Sequence, residues 1–351
     1  MYKHLAVAAL CLAATAPHAR TAAAPSPTTA SAGWTFSTLG TLGGNVSWAT
    51  AINNAGQVVG WSGTAPGESI DRDKDFHAYV FANGAMRDLG RAGDDSSAWA
   101  INDNGQVAGL SVADGIWLAD SKGTRKLGFR GTPYGINRAG VVAGTYDDGV
   151  DFRAFTYRGS VMTELGTLGG SWSHGKAINI QGLVVGSSAT AAGQVRGFIH
   201  ERGRMRAIGT FGGPNSNAHD VNDRGVVVGS AGNAANGVEA FIHDGVMRRL
   251  FAARSPYDVS EALAINNRGQ VVGTINDEGF LFEGGRVTML RELLTAEERA
   301  TWGVLTPTDI NESGWIVGIA STYGINGIPG GSRKAFVLKP APITARSIAR
   351  R

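Results

Sequence analysis

The chain has a single cysteine, Cys11, among its 351 residues. It lies in an N-terminal apolar segment. Past that segment there is no thiol, which excludes disulfides, cysteine nucleophiles and cysteine metal ligands. Excess charge of either sign is also missing. Lys plus Arg number 32 against 29 Asp plus Glu, a formal charge of +3, and +1 once Lys3 and Arg20 are set aside. With no basic run, nucleic acid is excluded as the main partner. Long apolar runs are absent too. Leu5 to Ala16 is too short to span a bilayer comfortably, and nothing later is longer, so no membrane span is expected. His-Glu-x-x-His, Gly-x-Ser-x-Gly and a helix-opening Gly-x-Gly-x-x-Gly do not occur, which removes the common zinc, serine-hydrolase and dinucleotide signatures.

The short apolar run follows Lys3 and precedes small residues, the pattern of an export signal. The division expected is residues 1–23 as signal peptide, 24–33 as flexible linker, 34–340 as one folded domain and 341–351 as disordered tail. Secretion to the outside or to the periplasm follows from that reading.

What the chain has in abundance is glycine, 51 residues, without a collagen-like triplet. The reason is repetition. Ile52-Asn53-Asn54-Ala55-Gly56-Gln57-Val58-Val59-Gly60 recurs with its Asn at 102, 137, 179, 222, 266 and 311, spaced 49, 35, 42, 43, 44 and 45 residues apart. A period near 43 fits a four-stranded propeller blade. Asn opens a four-residue turn and Gly closes it, which predicts a type I turn with a glycine bulge between strands a and b. Strand b is a short apolar run ended by Gly60 or its equivalents, where close backbone approach or a bulge is expected. Strand c reads His77-Ala78-Tyr79, Arg153-Ala154-Phe155 or Lys334-Ala335-Phe336, and strand d follows a Gly turn.

Strands a, b and c occur seven times, but d only six times between them. The missing d stands at the front, Trp34 to Gly40. The expected fold is therefore all-β: a seven-bladed β-propeller of four-stranded antiparallel blades, closed by the N-terminal strand pairing into the last blade and acting as a monomer. Leu39 to Gly44 and Leu165 to Gly170, the Ile-Asn-x-x-Gly-x-Val-Val-Gly phrase and the His-Ala-Phe-like strand resemble the HAF family of extracellular repeat proteins. The resemblance covers most of 34–339. It implies export and repeats, and no agreed activity.

An antiparallel meander puts the tight a–b and c–d turns on one face and the variable b–c and d–a loops on the other. Gly63 to Phe76, Tyr146 to Phe152, Gly209 to His219, Leu290 to Thr308 and Ser321 to Ser332 carry the length variation, so binding is expected there. Thr295-Ala296-Glu297-Glu298 has capping-box spacing and predicts a short helix over the rim. Two and four positions before the Asn small residues dominate, as at Ala51 and Ala49, Ala100 and Ala98, and Ala264 and Ala262, which predicts one crowded face near the axis.

Three positions before the Asn, consecutive units supply Trp99, Tyr134, Lys176 and His219. With Trp48 and Trp172 these are the candidate ligand-binding residues. Aromatic faces stack on sugar rings while charges fix orientation, so the expected partner is a carbohydrate or protein ligand on the variable-loop face. Near them stand Asp94, Asp95, Asp220, Tyr257, Asp258, Glu261 and Asp309. The catalytic alternative is a polysaccharide lyase or hydrolase. His219, His174 and Tyr134 would serve as acid and base, and Lys176 or Arg130 would neutralise a uronic carboxylate. A structural envelope component is the third reading. No cofactor is expected. Asp71, Asp73 and Asp75 offer an irregular Ca2+ site, but Phe76 and Ala82 stand where an EF-hand loop needs Gly and Glu.

Overall fold

The computed structural model describes residues 33–65, 74–90, 94–252, 255, 257–323 and 329–341. The signal and linker segments through residue 32, the tail from 342, and Asp71 and Asp73 of the proposed Ca2+ site lie outside the described residues. Seven four-stranded antiparallel sheets form a ring, a β-propeller. In blade 1 the order is Ser47–Ile52, Val58–Ala65, Lys74–Ala82 and Ala85–Asp88. The other blades repeat it.

The last sheet is built from both ends of the domain. Trp34–Thr38 pairs antiparallel with Pro329–Pro340, Trp34 opposite Pro340 and Thr38 opposite Phe336. Phe36 stacks on Phe336, with centroids 5.7 Å apart, and meets Trp302 at 6.0 Å. Without this strand, blade 7 would present an open edge.

Each repeat Asn makes the predicted turn. Gly56 N–H donates to the Asn53 carbonyl at 3.0 Å, and Gly56 has φ +76°, a left-handed conformation that costs glycine nothing. The same bond and positive φ recur at Gly105, Gly140, Gly182, Gly225, Gly269 and Gly314.

The core lies between blades. One cluster joins Val317, Ala335 and Val337 of blade 7 to Ala49, Ile52, Val58 and Tyr79 of blade 1. The strand-b glycine, expected to end the strand, is instead its third residue in every blade, and it explains how close the strands come. Gly186 pairs with Phe198, and a Cβ there would overlap the His174 carbonyl oxygen and come within 3.0 Å of the Phe198 ring. Tyr79, Phe155, Phe198, Phe241, Phe280 and Phe336 occupy this slot fully buried. The small residue before each aromatic lies against the next blade. Ala78, Ala154 and Ala240 N–H donate to the Ser96, Ser173 and Ser260 hydroxyls at 3.1, 2.9 and 2.9 Å.

Three expectations about strand a need correction. Gly212–Val221 is one long strand rather than a loop followed by a strand; its register is irregular between Gly212 and Ser216, and its Gly-Gly-Pro-Asn-Ser-Asn start reads as loop sequence. Likewise strand a of blade 7 begins at Trp302, so the rim insertion is shorter than expected. It holds a 3-10 turn, Leu290–Leu293, and a helix, Ala296–Thr301, with the predicted capping box at Thr295 and Glu298. Strand a also departs from strict period two. In six blades its register shifts between four and two residues before the Asn, and in blade 3 between Thr132 and Gly135, so the third residue before it is bulged out of the ladder.

Candidate functional site

The bulge re-aims the residue three before each Asn toward the next blade at the axis. Thr308 Oγ1 lies 3.1 Å from the Ala49 carbonyl, and Thr50 Oγ1 lies 2.9 Å from the Ala98 carbonyl. The next four members are the sequence-predicted set, and the structure brings them together in order. Trp99 meets Tyr134 edge-on at 5.2 Å, and Lys176 Nζ sits 3.8 Å over the Tyr134 ring centroid, a cation–π contact. His219 Nε2 is 3.3 Å from Ser230 Oγ, whose hydroxyl donates to Glu261 at 3.2 Å. Burial pushes the His219 pKa down, opposed by Glu261 and reinforced by Lys176. The ring is therefore neutral near pH 7, with Nε2 facing the Ser230 hydroxyl.

Trp48 extends the aromatic set, but through a residue that sequence reasoning missed. Trp61 stacks on Trp48 at 5.6 Å and contacts Trp99 at 5.4 Å, while Phe76 caps Trp48 at 6.2 Å. Trp61 follows the strand-b glycine. That strand reads as buried on both faces, and its signal was only the cross-strand pairing of Trp48 with Trp61. The result is an arc of half-buried rings through blades 1 to 3, continued by polar groups through blades 4 to 6.

The other candidates stand apart. Trp172 and His174 contact one another at 4.9 Å, and Phe152 meets His174 at 5.5 Å. His174 Nδ1 is 3.2 Å from Thr145 Oγ1, and burial together with Lys176 lowers its pKa to about 4. Arg130 is exposed on the rim. Asp94 and Asp95 accept from the Ala113 and Phe76 amides, and Asp258 accepts from Ser255, so these acids shape loops. Tyr257 is exposed. Asp75 holds φ +52°, and its carbonyl accepts from Thr64. Among the described residues no group of three or more His, Cys, Asp or Glu could hold a metal ion.

Deeper in the channel are two carboxylates, Asp220 and Asp309, two residues before their repeat Asn. Each clasps the next blade: Asp220 accepts from Ile265 N–H and Asp309 from Ile52 N–H, both at 2.8 Å. Burial raises Asp220 to about 6. Burial and the Asp220 charge raise Asp309 to about 7.

Below them the Asn residues form a closed ring. The side-chain amide of each donates to the main-chain carbonyl of the next, at 2.9 to 3.1 Å, from Asn53 through Asn311 and back to Asn53. Each Oδ1 meanwhile accepts from the turn, as Asn311 does from Ser313 and Trp315, both at 3.0 Å. On the tight-turn face Asn53, Asn102, Asn137, Asn266 and Asn311 of this ring line, with the isoleucines that precede them, a cavity of about 230 Å³.

Fold and channel define a β-propeller with a polar and aromatic axis, and comparison with known proteins goes no further. Residues 212–326 match a family described as protein of unknown function, DUF3466. No curated protein matches. Solved structures share the fold at low identity. A puromycin-hydrolyzing peptidase from Mycobacterium tuberculosis aligns with TM-score 0.52 at 12% identity, over 79% of this chain and 50% of its own. TolB from Acinetobacter baumannii aligns with TM-score 0.45 at 13% identity, over 64% and 60%. A lectin from Aleuria aurantia aligns with TM-score 0.36 at 12% identity, over 86% and 97%. This chain spans about half of the peptidase. Among the described residues no helix is long and apolar enough to cross a membrane.

Proposed function

We propose that this propeller is an exported binding module whose ligand enters the axial channel from the variable-loop face. One observation carries the reading: Trp48, Trp61, Trp99 and Tyr134 form a continuous half-buried arc that meets Lys176, His219 and Glu261 within one channel. A packing-only ring would need no polar half. A ligand with a flat apolar face and a polar edge matches it, and a sugar ring has that chemistry. The HAF-like phrase and the N-terminal signal pattern support export. Cell fractionation should then find the processed chain outside the cytoplasm.

The test is a glycan panel probed with the wild type and with Trp99→Ala and Tyr134→Ala. Binding that both substitutions weaken supports the reading. No glycan bound, or binding untouched by either substitution, overturns it. Uronate polymers in the panel also test the lyase alternative, through absorbance of an unsaturated product. His219 is neutral and so available as a base, but its Nε2 is engaged with Ser230, and for that reason binding ranks ahead of catalysis.

A further inference from the structure

The inner strand of each blade has no neighbour on its axial side, so its outward backbone groups need partners. One position before each Asn, the residue lies in a non-hydrogen-bonded pair and its N–H turns to the channel. In blade 1 that N–H, of Ile52, is taken by Asp309, and in blade 6 that of Ile265 is taken by Asp220. Val221 and Ile310 turn back to their own Asp220 and Asp309, each at 2.7 Å.

Blades 2, 3 and 4 differ. The positions that would serve Ile101, Ile136 and Ile178 hold Ala51, Ala100 and Gly135, which have no acceptor. The geometry is kept: a Cβ on Gly135 would lie 3.3 Å from Ile178 N. Among the described residues no side-chain acceptor reaches these three N–H groups. The protein thus shows, at Asp309 and Asp220, which group this backbone position takes, and omits it on one side of the ring. That side is where Trp99, Tyr134 and Lys176 stand, each two residues before one of the open N–H groups. Lys176 has no ion pair with a carboxylate among the described residues.

We propose that the Ile101, Ile136 and Ile178 N–H groups and Lys176 form an anion site that takes the carboxylate of a ring-bearing acid, an acidic sugar of the uronate class. The ring would lie on Trp99 and Tyr134, the carboxylate on the N–H groups and ammonium, and the hydroxyls toward Glu261 and Ser230. This rests on the binding reading above and narrows it to acidic sugars.

The probe is trigalacturonate, with trimannuronate and the carboxyl-reduced neutral trisaccharides beside it, titrated calorimetrically. Two variants are used. Ala51→Asp would place a carboxylate on Ile101 N–H as Asp309 does on Ile52, competing from within. Lys176→Gln removes the charge without touching the strand. The acids should bind and their reduced forms should not, with each variant weakening the acid by about tenfold or more. Equal binding of acid and reduced sugar overturns the anion site but leaves the glycan reading standing. So does acid binding that survives both variants while thermal melts show them folded. No binding by any sugar, here or on the wider panel, overturns both.

Discussion

Replacing Asn311 by Ala should destabilise the whole ring, because this residue works in two directions at once. Its Nδ2–H bonds the Asn53 carbonyl across the junction between blades 7 and 1, 258 positions apart in sequence, and its Oδ1 holds the Ser313 and Trp315 amides. The residue is buried. Truncation leaves the Ser313 and Trp315 amides without that acceptor and the Asn53 carbonyl with Gly56 N–H alone. At about 1–3 kcal/mol for each unmet buried group, discounted for water entering the tight-turn funnel, the loss is about 2–4 kcal/mol. For a domain of this size that lowers the melting temperature by roughly 4–8 °C. Asn311→Asp separates the two directions. While ionised it keeps the turn acceptor, loses the donor and faces a carbonyl with a charge, so it should melt well below wild type at neutral pH; protonation at low pH supplies an O–H donor and should narrow the gap. Asn104→Ala removes an exposed amide that bonds Arg138 from outside the ring and serves as control. Differential scanning calorimetry is the assay. An Asn311→Ala melt within about 1 °C of wild type, matching Asn104→Ala, would refute the ring as a closure device.

Other expectations follow from the packing and the charges. Gly186→Ala should cost about 1–3 kcal/mol or more in denaturant unfolding, because its Cβ meets the His174 carbonyl and the Phe198 ring; Gly209→Ala, with only Met247 sulfur at 3.8 Å, should be near neutral. Equal effects would contradict the close-approach reading. Removing residues 34–40 turns Phe336–Pro340 into an open edge, still paired on its other side, and Phe36→Ala alone should cost about 3–5 kcal/mol by the same assay. Asp309 titrates near 7 in the fold against an ordinary 3.8, so the folded state holds its proton longer than the unfolded chain. Stability should therefore fall as pH rises from about 4 to 7. Asp309→Asn keeps an acceptor for Ile52 N–H but not for Ile310 N–H, so it should cost stability at pH 4 and gain on wild type by on the order of 2 kcal/mol between pH 4 and pH 8. A melt difference that is the same at both pH values would contradict the buried-charge account.

The fold was legible because its determinants are local. Asn and Gly fix the turn within four residues, and seven copies give the blade count, while the unpaired Trp34–Thr38 strand gives the closure. The lateral bonds were not legible. An Asn that explains its own turn gives no sign that its amide also reaches the next blade, some 43 residues on. The bulge three residues before it leaves no compositional mark, so the small residues there read as an unbroken period-two face. Trp99, Tyr134, Lys176 and His219 could be found by aligning repeats, because the ring sets consecutive units side by side. Trp61 was hidden in an apolar strand. Asp220 and Asp309 read as rim charges, since only the three-dimensional ring shows that each clasps the following blade.

The claim that the aromatic arc is a ligand face is tested most directly by tryptophan emission during glycan titration. Trp48, Trp61 and Trp99 lie in the arc, so binding there should give a saturable change in emission, with Trp99→Phe and Trp61→Phe each removing part of it. Saturable binding by calorimetry with unchanged emission would place the ligand elsewhere and contradict the account.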